Sequence, residues 1–316
     1  MKKILFLLIA LTVALFMSCG GSEQAAAPAQ QPAAQAAPAA PAFSVRDFVT
    51  GYIADLASGD NIVSMDQFVA NAVADEDMYI VDIRRADDYN AGHIAGAVNM
   101  PWGSSAMWEA VPHIPTDRTV FVHCYSGQTA GQAIVLMQMA GIDAVSVNSG
   151  WNLGISRVEG YEAVVTTDAT PLDTSFNNGV SDAVMTVIRE YYQELATHVG
   201  TPFANRFVSE EGLKAIVDSG DTSVQIVSVR RPDDFAQGHI QGAVNVPFGA
   251  GMGDLIAGLP TDRRLAVYCY SGQMSNQAIA LLNLLGYDAV SLIYGMGTPR
   301  TAPRGWTNNG FPTVTS

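Results

Sequence analysis

Short runs of apolar, β-branched residues alternate with stretches of helical periodicity through most of this sequence. After the second run of each half, apolar positions recur at helical spacing until a glycine, Gly141 or Gly286, ends the pattern. Strand, helix and strand in close succession predict an α/β fold in which helices cover both faces of a parallel sheet. The predicted strands are 79–83, 119–122 and 144–147 in the first half and 224–227, 265–268 and 289–293 in the second.

An amphipathic stretch precedes each set of strands, at 45–56 and at 184–195. Apolar residues in both stretches fall on one helical face, which predicts a helix that opens each half of the chain. The loop that contains Thr170 and Pro171 lies between the halves. We therefore place the boundary near residue 172.

The second half of the sequence repeats the first. The string Gly-His-Ile-x-Gly-Ala-Val-Asn begins at Gly92 and again at Gly238, and Cys-Tyr-Ser-Gly-Gln begins at Cys124 and again at Cys269, 145 positions later. Identity at this density and in the same order indicates a duplicated domain rather than a solenoid of short repeats. The predicted domains are 43–172 and 173–316.

Length and composition agree with two globular domains. The chain has 316 residues, of which 48% are hydrophobic and 15% charged, so each half is long and apolar enough for a core of its own. The formal net charge is −14 at pH 7. An acidic surface repels phosphate backbones, which argues against a nucleic-acid-binding protein.

The N-terminus predicts export. Two lysines precede an apolar run at 4–17, which is shorter than a membrane span, and Ser18 and Cys19 close it. Residues 1–18 resemble the signal peptide of a bacterial lipoprotein, and the resemblance implies that Cys19 becomes the lipidated N-terminus. Residues 19–42, rich in Ala, Pro and Gln, predict a tether. We expect a lipid-anchored protein of the bacterial cell envelope, periplasmic or on the outer surface; an ordinary cleaved signal and an uncleaved anchor are the alternatives.

Cys124 and Cys269 stand at equivalent positions of the repeat, directly after a predicted strand and directly before a predicted helix. A thiol there faces the amides of a glycine-containing turn and the positive end of a helix dipole. Both features stabilise an anion and favour the nucleophilic thiolate or the terminal charge of a persulfide. The other residues of these loops are Tyr125, Ser126, Gly127, Gln128 and Thr129 in the first copy and Tyr270, Ser271, Gly272, Gln273 and Met274 in the second.

Both copies resemble rhodanese domains. The residues that carry the resemblance are Asp82, Ile83, Arg84, Asp88, Tyr89, Gly92, His93, Ile94, Gly96, Ala97, Asn99, Pro101, Cys124, Gly150 and Trp151, and in the second copy Arg230, Asp234, Phe235, Gly238, His239, Ile240, Gly242, Ala243, Asn245, Pro247 and Cys269. The resemblance implies two tandem rhodanese-like domains. It also implies a thiosulfate sulfurtransferase type of enzyme, in which each cysteine accepts a sulfane sulfur from a small donor and passes it to a thiol or another thiophilic acceptor. It implies no cofactor and no metal.

The loops also depart from their relatives. Phosphatases of this fold carry a phosphate-binding arginine where this chain has Ala130 and Ser275, so we do not expect phosphatase activity. Both loops lack the Arg or Lys that often accompanies thiosulfate use. Ser228 replaces the strand-end Asp82 in the second copy, and we expect that copy to be the weaker one.

Several alternatives stay open at the level of sequence. The cysteines could be inert or could form a disulfide, although two such loops rarely lie within bridging distance. Asp82, Arg84 and Arg230 are candidate supporting residues. The two arginines either attract anions or pair with nearby acids such as Asp88 and Asp234. His93 and His239 favour a structural role. Besides an enzyme, a persulfide carrier or thiol-sensing lipoprotein with little turnover of small donors fits the neutral loops, and a relic fold is the third hypothesis.

Overall fold

Two five-stranded parallel sheets, one from each copy of the repeat, form the framework of the protein. The computed structural model describes residues 43–316, which together make one unit. In the order in which they pair, the strands of the first sheet are Ile62–Val63, Ala144–Val147, Val120–His123, Tyr79–Asp82 and Val98–Asn99, and those of the second are Phe207–Val208, Ala289–Leu292, Arg264–Tyr268, Val224–Ser228 and Val244–Asn245. The prediction of two parallel-sheet α/β domains is confirmed.

The elements of the first copy are α1 (Val45–Asp55), β1 (Ile62–Val63), α2 (Met65–Val73), β2 (Tyr79–Asp82), α3 (Ala86–Ala91), β3 (His93–Ile94), β4 (Val98–Asn99), α4 (Ala106–Glu109), β5 (Val120–His123), α5 (Gln128–Met139), β6 (Ala144–Val147) and β7 (Val165–Thr166). Those of the second copy are α6 (Asp182–Thr197), β8 (Phe207–Val208), α7 (Glu210–Ser219), β9 (Val224–Ser228), α8 (Pro232–Gln237), β10 (Val244–Asn245), α9 (Met252–Ile256), β11 (Arg264–Tyr268), α10 (Gln273–Leu284) and β12 (Ala289–Leu292).

The central strands are those that the apolar pattern predicts. β2, β5 and β6 pair in register, as do β9, β11 and β12, and most of their side chains are buried on both faces. The outer strands β1, β4, β8 and β10 have only two residues each, which is too short to leave a periodic signal. They extend each sheet because the neighbouring central strand offers unpaired backbone groups.

The helix that opens each copy packs on the other copy. α1 contacts α9 and α10, and α6 contacts α4. The Tyr52 hydroxyl donates a hydrogen bond to Gln277 Oε1 at 2.7 Å, and the Tyr191 hydroxyl donates one to Gln132 Oε1 at 2.8 Å. The sequence predicted both helices but not this exchange of partners.

The two helices that follow the cysteines pack directly against each other between the sheets. α5 and α10 approach closely at Gly131, where a Cβ atom would lie 2.6 Å from the backbone oxygen of Gln273. Both helices are buried around most of their circumference and belong to one apolar core that spans the two copies. The cysteine loops therefore lie at the interface between the domains.

The export signal, Cys19 and the tether lie outside the described residues and stay predictions, which the mass of the mature N-terminal peptide would test. Within 43–316, none of the helices has the length and apolar character needed to cross a bilayer.

Candidate active site

Each cysteine lies where the sequence predicted it, between a central strand and a buried helix. Cys124 follows β5, and Gly127 at φ +80° leads into α5; Gly272 at φ +96° leads into α10 after Cys269. The N–H groups of the first turn of a helix have no intrahelical partner and carry its positive dipole end. The turn therefore offers donors to an anion bound at the cysteine sulfur.

A second segment holds the Cys124 loop from behind. The amides of Trp151 and Asn152 donate hydrogen bonds of 2.8 Å to the carbonyl oxygens of Cys124 and Tyr125. Gly150, at φ +57°, packs against the same loop so closely that a Cβ atom there would lie 2.5 Å from the Cys124 oxygen. The conformation of the loop thus depends on a residue that has no side chain.

The loop tyrosines connect each cysteine loop to the neighbouring helix. The Tyr125 hydroxyl donates to Asp88 and accepts from the backbone amide of Arg85 at 3.0 Å. The hydrogen bond from Tyr125 and the nearby Arg85 side chain hold the pKa of the Asp88 carboxyl below its usual range. Tyr270, Asp234 and Arg231 repeat this arrangement in the second copy.

Arg84 pairs with a nearby acid, as one alternative held, but the acid is Asp82, because Asp88 and Asp234 pair with Arg85 and Arg231. Arg84 forms a buried ion pair with Asp82, with Nη2 at 2.6 Å from Oδ2, and its guanidinium lies 3.9 Å from the centre of the Trp151 ring. Asp82 stands at the end of β2, two residues before Arg84, and its carboxylate therefore pairs with the Arg84 guanidinium in place of Asp88.

Arg230 lacks the corresponding carboxylate. It donates to the Gly238 oxygen, while its buried Nε has no partner among the described residues. The second copy therefore departs from the first at the strand end beside its cysteine loop.

The histidines of the repeat support the structure, as the sequence favoured. His93 is buried, stacks on Tyr89 at 3.6 Å between ring centres, and has Nδ1 2.8 Å from the Tyr89 oxygen. His239 makes the same contacts with Phe235. Both rings fix the turn behind the site.

His123 points away from Cys124, towards Phe68 and Trp151, and is fully buried. Burial lowers the pKa of His123, an effect that Arg84 adds to and that Asp82, 3.7 Å from Nε2, opposes. The unfolded chain takes up a proton near pH 6.5 that the folded chain does not, so this residue makes the free energy of unfolding fall as the pH drops below about 6.5.

We expect His123→Phe to flatten that dependence by up to about 1.4 kcal/mol per pH unit. Urea unfolding between pH 5 and 7.5 measures it. Equal slopes for the variant and the wild type would contradict the prediction.

A cavity of about 1190 Å³ opens above Cys124. Residues of the first copy line most of it, including Arg84, Trp102 and Trp151. The second copy closes one side. Its contributions are Asn205, Phe207, Ile293 and Tyr294. The sequence pattern did not predict these four, because they belong to the site only through the packing of one domain on the other.

Cys269 has a different environment. It is completely buried and does not line the cavity over Cys124, a thiol that is itself only 2% exposed. Its sulfur accepts hydrogen bonds from the Gly272 amide at 3.1 Å and from the Ser275 hydroxyl at 3.5 Å. Ala130 stands at the position of Ser275 in the first copy and offers no such hydroxyl.

The two loops lie side by side, with the Gln273 side chain against Gly127 and the Gln128 side chain against Gly272. Gln128 Oε1 accepts from the Tyr294 amide at 2.9 Å, and Gln273 Oε1 accepts from the Ser149 amide at 3.1 Å. Each glutamine thus reaches from its own cysteine loop into the other copy. Cys124 and Cys269 are nevertheless both free thiols.

The fold and the cysteine turns define a tandem α/β protein with one cysteine at the strand-to-helix turn of each copy. The Rhodanese-like domain family matches residues 65–154 and 209–296, and the chain belongs to that family. Clusters of three or more His, Cys, Asp or Glu side chains suited to a metal ion are not found in residues 43–316.

Named relatives are sulfurtransferases. The chain is 33% identical over 110 residues to a sulfurtransferase of Allochromatium vinosum, an alignment that covers 35% of this chain and 94% of that protein. It is 32% identical over 71 residues to thiosulfate sulfurtransferase PspE of Escherichia coli K12, covering 22% and 68% respectively. A crystal structure of a thiosulfate sulfurtransferase from Pseudomonas aeruginosa aligns with 83% of this chain and 48% of its own, at 19% identity and a TM-score of 0.30.

Proposed function

We propose that this protein transfers a sulfane sulfur as a persulfide on Cys124. The observation that carries the proposal is the position of Cys124: it follows a central strand, precedes the N-terminus of α5, and lines the large cavity. A nucleophile at such a turn meets its substrate in the cavity while backbone amides stabilise its charge. The relatives named as sulfurtransferases support the same reaction class.

The reaction needs only the Cys124 thiolate and the backbone amides of the turn between β5 and α5. The Cys124 thiolate attacks the outer sulfur of a donor, the bond from that sulfur to the rest of the donor breaks, and the leaving group departs with the electron pair, as sulfite when the donor is thiosulfate. A thiophilic acceptor then attacks the terminal sulfur and restores the thiolate. Amides at the start of α5 stabilise the negative charge at each stage.

We assign the chemistry to the first copy. Both thiols are buried, but Cys124 lines the large cavity and keeps the Asp82–Arg84 ion pair beside its loop, whereas Cys269 does not line that cavity and has Ser228 at the position of Asp82. In this proposal the second copy forms one wall of the cavity, and its Tyr294 amide donates a hydrogen bond to the Gln128 side chain.

Intact mass spectrometry of the full chain after exposure to a polysulfide tests the proposal. We expect a gain of one sulfur atom, located on the peptide that contains Cys124 and removed by cyanide. Loading on Cys269 instead, or no loading at all, would contradict it. Repeated turnover with cyanide distinguishes an enzyme from a carrier, since a carrier would load once and turn over slowly.

A further inference from the structure

We propose that the sulfur donor of the Cys124 site is an organic compound with an apolar, aromatic-sized body, such as an organic thiosulfonate or persulfide, rather than inorganic thiosulfate. This inference rests on the proposed function and specifies its substrate class. Four features of the cavity support it: its size, its aromatic side chains, its balance of charge and the fixed position of the wall from the second copy.

The cavity is much larger than a small inorganic anion requires. Its volume of about 1190 Å³ exceeds the range of roughly 300–1,000 Å³ that is typical of pockets for organic ligands. Six of its 21 lining residues have large aromatic side chains, and flat rings of this kind bind apolar and aromatic bodies. The aromatic residues of the wall are Trp102, Tyr125, Trp151, Tyr161, Phe207 and Tyr294.

The cavity offers little positive charge to a dianion. Both arginines that line it are already paired, Arg84 with the buried Asp82 and Arg85 with Asp88. Asp88 and Glu162 also line the cavity. Anion recognition favours free guanidinium groups, and each of these carries a carboxylate partner instead. A donor with a single negative charge at its sulfur end is matched better than one with two.

Contacts within and between the copies hold the second-copy wall of the cavity in place. The Trp102 indole donates a hydrogen bond of 3.1 Å to Asn205 Oδ1, which joins the two sides of the cavity. Tyr294 is held by the Gln128 side chain through its backbone amide, and the Arg304 guanidinium lies 4.9 Å from its ring centre. Because these rings are held in place before a ligand enters, little ordering is required when an organic body binds.

The loading step balances for such a donor. An organic thiosulfonate ion and the Cys124 thiolate give the Cys124 persulfide ion and an organic sulfinate. The bond between the two donor sulfurs breaks, and its electron pair leaves with the sulfinate. One negative charge enters with each reactant and one stays on each product, so no oxidant or reductant is needed.

Loading of the full chain by three donors tests the inference: benzenethiosulfonate, methanethiosulfonate and thiosulfate, each corrected for its rate with a free small thiol. We expect benzenethiosulfonate to load Cys124 at least ten times faster than methanethiosulfonate, and thiosulfate to be the slowest. Equal rates for the two thiosulfonates, or faster loading by thiosulfate, would overturn the inference while leaving the proposed function intact. Absence of loading by all three would reject the proposed function itself.

A matched pair of variants at Thr129, which lines the cavity at the start of α5, tests the charge argument. Thr129→Arg adds an unpaired cation, and we expect it to raise the rate with thiosulfate at least tenfold relative to the wild type. Thr129→Met adds bulk without charge and reproduces the residue of the second copy, so it should not raise that rate. A similar rise in both variants, or in neither, would contradict the role of charge.

Discussion

Replacing Cys124 with serine is expected to lower the rate of sulfur transfer by about a thousandfold or more, because a serine oxygen cannot form the persulfide and the nucleophile is lost. The loss should appear in kcat, since the cavity that binds the donor is unchanged. Turnover of benzenethiosulfonate with cyanide measures it. The intact mass of the treated variant should show no added sulfur.

The equivalent replacement in the second copy is the matched control. Cys269→Ser should keep the rate within about twofold, because the Cys269 sulfur does not line the cavity over Cys124 and a serine hydroxyl can accept the hydrogen bond from the Gly272 amide. If Cys269→Ser lost as much activity as Cys124→Ser, the assignment of the chemistry to the first copy would be wrong.

Gly150→Ala should cause the second largest loss of activity, after Cys124→Ser. Its Cβ atom would lie 2.5 Å from the Cys124 oxygen and 2.6 Å from the Gly127 amide nitrogen, and residue 150 has a φ of +57°. The loop must move or the chain must strain, at a cost of about 2–4 kcal/mol in the free energy of unfolding. Because a shift of about 1 Å at a reacting group costs on the order of a hundredfold in rate, kcat should fall by that amount.

Gly295→Ala separates the loss of activity from the loss of stability. It has the same φ of +57°, and its Cβ atom would lie 2.5 Å from the Cys269 oxygen. We expect a similar fall in the free energy of unfolding, measured by urea titration, but a loss of rate at least ten times smaller than for Gly150→Ala. Equal losses of rate would show that general destabilisation, not the position of the Cys124 loop, accounts for the effect.

The apolar pattern predicted the central strands, the helices after the cysteines and the turns between them, because these elements are defined by local periodicity and by glycines at fixed positions. The pattern shows that α1 has an apolar face, but it contains no information about which helix covers that face. The exchange of α1 and α6 between the copies could not be predicted for this reason.

The sequence could not distinguish the surroundings of the two cysteines for the same reason, because those surroundings depend on how the copies pack. The strings around Cys124 and Cys269 are identical for five residues, so the local sequence gives no difference in access. The difference in access arises from distant residues, because Phe207 and Tyr294 line the cavity over Cys124. Two local differences also separate the copies: Ser275 contacts the Cys269 sulfur where the first copy has Ala130, and Ser228 replaces Asp82. The second of these favoured the first copy at the level of sequence.

Because α1 and α6 each pack on the other copy of the same chain, the cavity over Cys124 stays assembled when the protein is diluted. Separate subunits that shared a cavity would lose it once their concentration fell below their dissociation constant. Here Val49, Tyr52 and Ile53 of the first copy are buried, and α1 lies against helices of the second, which is joined to it by the same chain. The effective concentration of each half for the other is fixed by covalent connection. The wall over Cys124 thus stays assembled in a single molecule, however scarce the protein is.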